Sequence, residues 1–305
     1  MALEPVLDAH HHLWDLSVRE QPWLDTDPAL APLRRAFELD DLEPLADAAG
    51  VTGTVIVQTV TEPGETPDML ALAARSSLIQ AVVGWVDLTA PDVADALGAL
   101  TSRADAAGLA GIRHPVLTEP DQEWLIRPDV LRGLAAVAAA GLTFDVVVPP
   151  SHLPAAARAA ELRPELLFVL DHLGNVEVTP QVDQDWLAAF RRFAALPNTV
   201  GKLSGIFAEP APGPEPAPGP ETGAGPARGG GPEVGHLRPY YEIALECFGP
   251  GRLMFGSDWP VSTLGAPYGD VVAAARKLTG DLSGPERDAI FGGTARRVYR
   301  IGAGS

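Results

Sequence analysis

Eight short apolar runs punctuate the chain: Val6–His10, Gly53–Val60, Ala81–Leu88, Ala110–Val116, Leu142–Val148, Leu166–Leu170, Thr199–Ser204 and Arg252–Gly256. Within them Val, Ile, Leu and Phe follow one another with little polar alternation, the pattern of strands covered on both faces, as in a parallel sheet. The intervals between them read as helices. Val93, Leu97 and Leu100 share one helical face, and so do Trp186, Leu187, Phe190, Phe193 and Leu196. Gly50 and Gly141 each stand just before an apolar run, where glycine can end a helix in the left-handed conformation. Eight alternations of strand and helix predict an α/β protein with a (β/α)8 TIM-barrel fold rather than an open doubly wound sheet. No Gly-rich nucleotide loop follows the first run, which weakens the open-sheet alternative. The 305 residues suit one such barrel, so a single domain over 1–305 is expected.

One interval departs from the pattern. Residues 208–235 are dominated by Pro, Gly, Ala and Glu and lack the apolar groups that would offset the entropy of ordering them. This segment follows the seventh strand and reads as a mobile insertion, either an inert loop expansion or a lid on the face where barrel sites lie.

Composition narrows the function. Apolar residues make up 46% of the chain and charged residues 20%, an ordinary globular balance, and the formal net charge is −18. No cluster of Lys or Arg offers the basic face that a nucleic acid or an anionic membrane requires. The one cysteine, Cys247, allows no internal disulfide, and residues 1–8 show no basic region followed by an apolar run. A cytoplasmic protein acting on a small molecule is therefore expected. The sequence is compatible with a homo-oligomer but does not specify one.

Chemistry-bearing residues gather at the ends of the predicted strands. The first ends Asp8-Ala9-His10-His11-His12, where strand alternation turns His10 and His12 to one side and His11 to the other. Two imidazoles at the carboxyl end of a barrel strand form a ready divalent-metal pair. The eighth ends Gly256-Ser257-Asp258-Trp259, and a carboxylate after a buried strand is costly unless it meets a cation or hydrogen-bond donors. Strand eight neighbours strand one in a closed barrel, so Asp258 should meet His10 and His12, unless it merely caps a helix. His172 ends the sixth strand, and Asp171, alternating away from it, reads as structural. Lys202 lies in an apolar strand in a chain with only two lysines, and either binds a substrate carboxylate or pairs with a neighbouring Asp. Arg113 could grip a carboxylate or polarise a carbonyl through its planar fork. His114, Trp85 and Trp259 are further pocket-lining candidates, with Gln58 and Asp87 as weaker ones.

These segments, in order, are Asp8-Ala9-His10-His11-His12-Leu13-Trp14, Gly111-Ile112-Arg113-His114-Pro115, Leu170-Asp171-His172-Leu173-Gly174, Lys202-Leu203-Ser204-Gly205 and Met254-Phe255-Gly256-Ser257-Asp258-Trp259-Pro260. Together they closely resemble the amidohydrolase-related (amidohydrolase 2) family of TIM-barrel metal-dependent hydrolases, the group of L-fuconolactonase, L-rhamnonolactonase and 2-pyrone-4,6-dicarboxylate lactonase. The resemblance implies a metal site of His10, His12 and Asp258, with Asp258 and His172 as catalytic residues and Arg113, His114, Lys202, Trp85 and Trp259 around the substrate. It also implies a cofactor of one divalent metal, zinc, or none. Strand four carries Arg113-His114 where the wider superfamily often has a metal-bridging residue, which argues against a binuclear site. Strand five, Phe144-Asp145-Val146-Val147-Val148, has no histidine, and His152 comes too late to replace one.

The expected activity is hydrolysis of a small sugar-acid or carboxylated lactone by water activated at Asp258. The alternatives are a zinc-dependent decarboxylase or hydratase of an unsaturated carboxylic acid on the same barrel, and a binding protein without catalysis. The retained set of polar strand ends argues against the last.

Overall fold

Strands form where the sequence places unbroken β-branched and aromatic runs. They are β1 (Val6–His11), β2 (Val51–Val57), β3 (Ile79–Gly84), β4 (Leu109–Pro115), β5 (Thr143–Val147), β6 (Phe168–Leu170), β7 (Thr199–Leu203) and β8 (Leu253–Phe255). The computed structural model describes residues 6–207 and 234–302. All eight strands pair in parallel, in chain order from β1 to β8. β8 meets β1 through Asp258 N–H donating to His10 O (2.8 Å) and His12 N–H donating to Trp259 O (2.7 Å). The architecture is the expected (β/α)8 barrel. Of the insertion expected over 208–235, all but Val234 and Gly235 lies outside the described residues.

The crossover helices are α1 (Leu39–Ala49), α2 (Glu65–Ala73), α3 (Val93–Thr101), α4 (Pro128–Ala139), α5 (Leu153–Leu162), α6 (Gln184–Ala194), α7 (Arg238–Phe248) and α8 (Tyr268–Leu278). The stop at Gly50 is the predicted left-handed cap (φ 73°), and Gly141 takes the same φ.

Apolar side chains form two layers. One large cluster fills the space between strands and helices; the α6 residues Trp186, Phe190 and Phe193 belong to it. The other lies inside the barrel and includes Leu7, Ala9, Val55, Val57, Ala81, Val83, Val169, Val200 and Met254. Ala295, Val298 and Tyr299 join this inner cluster from the C-terminal segment. Above it the interior turns polar, and that change sets the height of the site.

In β1 the step from Asp8 to His11 is matched on β2 by the shorter step from Thr54 to Ile56. One extra residue on β1 makes this a β-bulge, which re-aims the side chains that follow. Leu7 and Ala9 face the interior, so an unbroken strand would send His11 inward. The bulge brings in His10 and His12 instead, and His11 turns out to bond Thr54 Oγ1 at 2.9 Å.

Candidate active site

Four predicted residues converge at the carboxyl ends of the strands. Asp258 Oδ1 lies 3.7 Å from His10 Nε2, 3.5 Å from His12 Nε2 and 3.8 Å from His172 Nε2. His10 and His12 nitrogens are 3.1 Å apart. Backbone conformation aims two of the four. His172 (φ 53°) and Asp258 (φ 59°) occupy the left-handed region, where non-glycine residues are uncommon and often functional. His172 continues into a left-handed run through Leu173, Gly174 and Asn175. That run ends strand alternation at β6, so Asp171 and His172 both reach the interior.

Partners orient each imidazole. His12 Nδ1 lies 2.7 Å from Val57 O. A carbonyl only accepts, so Nδ1 carries the proton and Nε2 presents its lone pair toward Asp258. His172 Nδ1 is 2.9 Å from Ser204 Oγ. Burial lowers all three histidines, His12 to about 3 and His10 well below the usual imidazole value. They are therefore neutral at pH 7, the form that ligates metals. Burial raises the Asp258 carboxyl, opposed first by His172.

The donor set fits one divalent ion. Ligand atoms bound tetrahedrally at about 2.0–2.1 Å stand roughly 3.4 Å apart. The His10, His12 and Asp258 atoms are separated by 3.1, 3.5 and 3.7 Å. These three side chains form one candidate metal group among the described residues, and His10, Asp171 and His172 form another.

Beneath the histidines lies a charged floor. Lys202 Nζ sits 2.6 Å from Asp145 Oδ2, 3.0 Å from Asp171 Oδ1 and 3.1 Å from His10 Nδ1. Tyr299 donates its hydroxyl to Asp145 Oδ2 at 2.7 Å. Arg113 reaches Asp171 Oδ2 at 3.2 Å and also donates to Gln58 O. Burial pushes Asp171 up, but the Lys202 ammonium, a hydrogen bond from His10 and the Arg113 guanidinium outweigh it and hold it well below the usual carboxylate range. Burial raises Asp145, against the Lys202 ammonium.

Three expected substrate contacts have partners within the protein. Lys202 is wholly buried between two carboxylates, so pairing with Asp, the alternative weighed above, describes it. Arg113 directs its fork at Asp171 and Gln58, and its Nη1 also lies 3.3 Å from His10 Nε2, because a guanidinium aimed into the barrel needs acceptors. Trp259 packs edge-on against Phe37 (5.4 Å between rings), and its carbonyl accepts the His12 backbone N–H. Trp85 and His114 do meet: Trp85 Nε1–H donates to His114 Nδ1 at 3.1 Å, and His114 stacks on Trp124 with ring centroids 4.2 Å apart. His152 is engaged elsewhere, with Nε2 3.1 Å from Glu119 O.

The sequence reading missed Asp145, Asp171 and Tyr299 as parts of this assembly. One signal was available. Asp145 and Lys202 are opposite charges in the middle of apolar strands, and each is costly to bury without the other.

Known proteins resemble this chain along nearly its whole length. The chain is 34% identical to an L-fucono-1,5-lactonase of Burkholderia ambifaria, over 97% of this chain and 95% of that protein. A crystal structure of an amidohydrolase from Burkholderia multivorans with bound zinc superposes with a TM-score of 0.83 at 32% identity. That match covers 98% of this chain and 100% of the other. 5-Carboxyvanillate decarboxylase from Sphingomonas paucimobilis, 15% identical with a TM-score of 0.63 over 97% of this chain and 99% of that one, shares the fold alone. The family model described as Amidohydrolase matches residues 7–301, and the chain belongs to that family.

Proposed function

We propose that this protein hydrolyses a sugar-acid lactone, with Asp258 as general base. The observation that carries the reading is one carboxylate oxygen held within 3.8 Å of three imidazoles at the mouth of the barrel. Relatives 34% identical along nearly the whole chain are L-fucono-1,5-lactonases, which supports a polyhydroxylated lactone as the substrate class.

In this reading Asp258 takes a proton from water as the water attacks the lactone carbonyl. The ring C–O bond then breaks, and the proton on Asp258 passes to the departing ring oxygen, leaving a hydroxy acid. The base must be ionised at the working pH yet basic enough to accept a proton. Burial raises the Asp258 carboxyl, which makes it the stronger base. His172, steadied by Ser204, faces the same space and can donate a hydrogen bond to oxygen as negative charge builds there. Trp85 and His114, tied together at 3.1 Å, stand at the ends of β3 and β4 and form a wall for the substrate.

His10, His12 and Asp258 would hold one zinc ion, which when bound supplies Lewis-acid polarisation. The floor beneath brings Lys202 and Arg113 against Asp145 and Asp171, so its charges balance. That leaves Asp258 as the uncompensated anion above, a further reason for a cation to settle there.

The test is proton release near neutral pH when L-fucono-1,5-lactone and other sugar-acid lactones are added, with the spontaneous rate subtracted. Turnover of at least one lactone is expected. No acceleration across the panel, with carbon dioxide released from aromatic acids instead, would replace this reading with decarboxylation.

A further inference from the structure

We infer that Asp8 is a positioning residue that decides which histidines of the His10-His11-His12 run face the site. The inference rests on the proposed roles of His10, His12 and Asp258. Asp8 lies outside the barrel wall, fully buried between β1 and α8. One oxygen, Oδ1, accepts both His10 N–H (3.1 Å) and Ser257 N–H (2.7 Å). The other, Oδ2, accepts the Tyr268 hydroxyl of α8 (3.0 Å). A single carboxylate thus binds the backbone at the bulge of β1 and the residue just before Asp258 in the turn after β8.

The bulge needs such a partner. An extra residue in a strand leaves backbone groups without ladder bonds, and a buried unpaired N–H is costly. His10 N–H finds its acceptor in Asp8. If that acceptor is lost, the favourable repair is an unbroken strand, and strand alternation then carries His11 inward and His10 and His12 outward. The same carboxylate fixes the β8 side. Ser257 Oγ–H donates to His10 O (3.3 Å), Trp259 N–H donates to Ser257 Oγ (3.0 Å) and Asp258 N–H donates to His10 O (2.8 Å). Asp8 therefore sets the distance between the strand that carries two imidazoles and the turn that carries the base. It touches neither substrate nor metal, and it acts through the backbone.

Asp8→Ala, Asp8→Asn and Tyr268→Phe test the inference, read by kcat and KM on the preferred lactone, by zinc affinity in competition with a chelator, and by thermal melting. Partners that orient a ligating group typically contribute about 10–100-fold. Asp8→Ala should lower both kcat and zinc affinity in that range, with KM changed by less than about 3-fold, because the fault lies in geometry and not in substrate contact. Asp8→Asn keeps an oxygen facing both backbone N–H groups and should recover most of each loss. Should Asp8→Ala fail to fold, Tyr268→Phe carries the test, with a several-fold loss in kcat at unchanged KM. Two results would overturn the inference: a lowered melting temperature with kcat and zinc affinity intact, or an Asn variant as impaired as Ala. Asp258→Asn run in parallel separates the two claims. If that variant turns over normally the lactonase mechanism fails, whereas the zinc affinity of the Asp8 variants still reports whether the bulge positions His10 and His12.

Discussion

Replacing Lys202 with methionine probes the floor on which the site stands. Methionine fills nearly the same volume, so the cavity contribution is small and the effect is electrostatic. The ammonium lies 2.6 Å from Asp145 and 3.0 Å from Asp171, and no part of it reaches solvent. The loss is unequal. Asp171 keeps Arg113 at 3.2 Å, whereas Asp145 keeps only the hydroxyls of Tyr299 (2.7 Å) and Thr143 (3.3 Å). Removing one partner of a buried ion pair costs about 3–5 kcal/mol, because a charge is left behind without its counterion. The cost should depend on pH with a definite sign. Burial already raises Asp145, and without Lys202 it rises further. A carboxyl raised in the folded state contributes stability that is present at low pH and lost as pH rises through its folded value. The gap between wild type and Lys202→Met should therefore be widest near neutrality and narrow on acidification as Asp145 takes up a proton. Urea unfolding followed by tryptophan fluorescence at neutral and at acid pH measures it. A loss below about 1 kcal/mol near neutrality, the range of a surface ion pair, would refute the reasoning, as would a gap that widens on acidification.

Other consequences follow from the same geometry. Zinc should raise the melting temperature of the wild type and leave that of His10→Ala/His12→Ala unchanged, because an ion that binds only the folded state stabilises it by mass action; equal shifts in the two proteins would place the ion elsewhere. Because burial raises Asp258, the acid limb of kcat/KM measured without added metal should lie above the ordinary carboxylate range, activity falling as pH drops and the base is protonated; a profile flat down to that range would remove Asp258 as the base. Gly205 has φ 74°, and a Cβ there would come within 2.6 Å of the His172 side chain. Gly205→Ala should cost about 1–2 kcal/mol in stability from the left-handed backbone and reduce kcat by displacing His172, while full activity would show that His172 is dispensable.

Much of this was legible in the sequence. Apolar runs marked the eight strands because parallel barrel strands are buried on both faces, and that made strand ends the place to look. His10, His12, His172 and Asp258 stood out as polar groups where burial demanded a reason. The remainder depended on local backbone geometry that apolar pattern does not encode. Asp171 was read as structural by alternation, but the left-handed turn beginning at His172 removes alternation at that strand end. Alternation separated His11 from its neighbours, yet the inward face was set by a bulge anchored on Asp8. The sequence leaves Lys202 open between a substrate carboxylate and a neighbouring Asp, and offers Arg113 as a grip on a carboxylate or carbonyl. Their partners, Asp145 in β5 and Asp171 just after β6, stand within two strands of them in the parallel order, a neighbourhood that apolar pattern alone does not mark. Trp259 belonged to a recognisable motif, but the motif uses its carbonyl and leaves the ring to the core.

The most direct measurement compares steady-state hydrolysis of a sugar-acid lactone by the wild type and by Asp258→Asn, with melting curves to establish that both are folded. Asparagine keeps the shape and loses the basicity. The loss of a general base should reduce kcat by about 100- to 10,000-fold with little change in melting temperature. A folded Asp258→Asn variant within a few-fold of wild-type turnover would contradict the account at its centre.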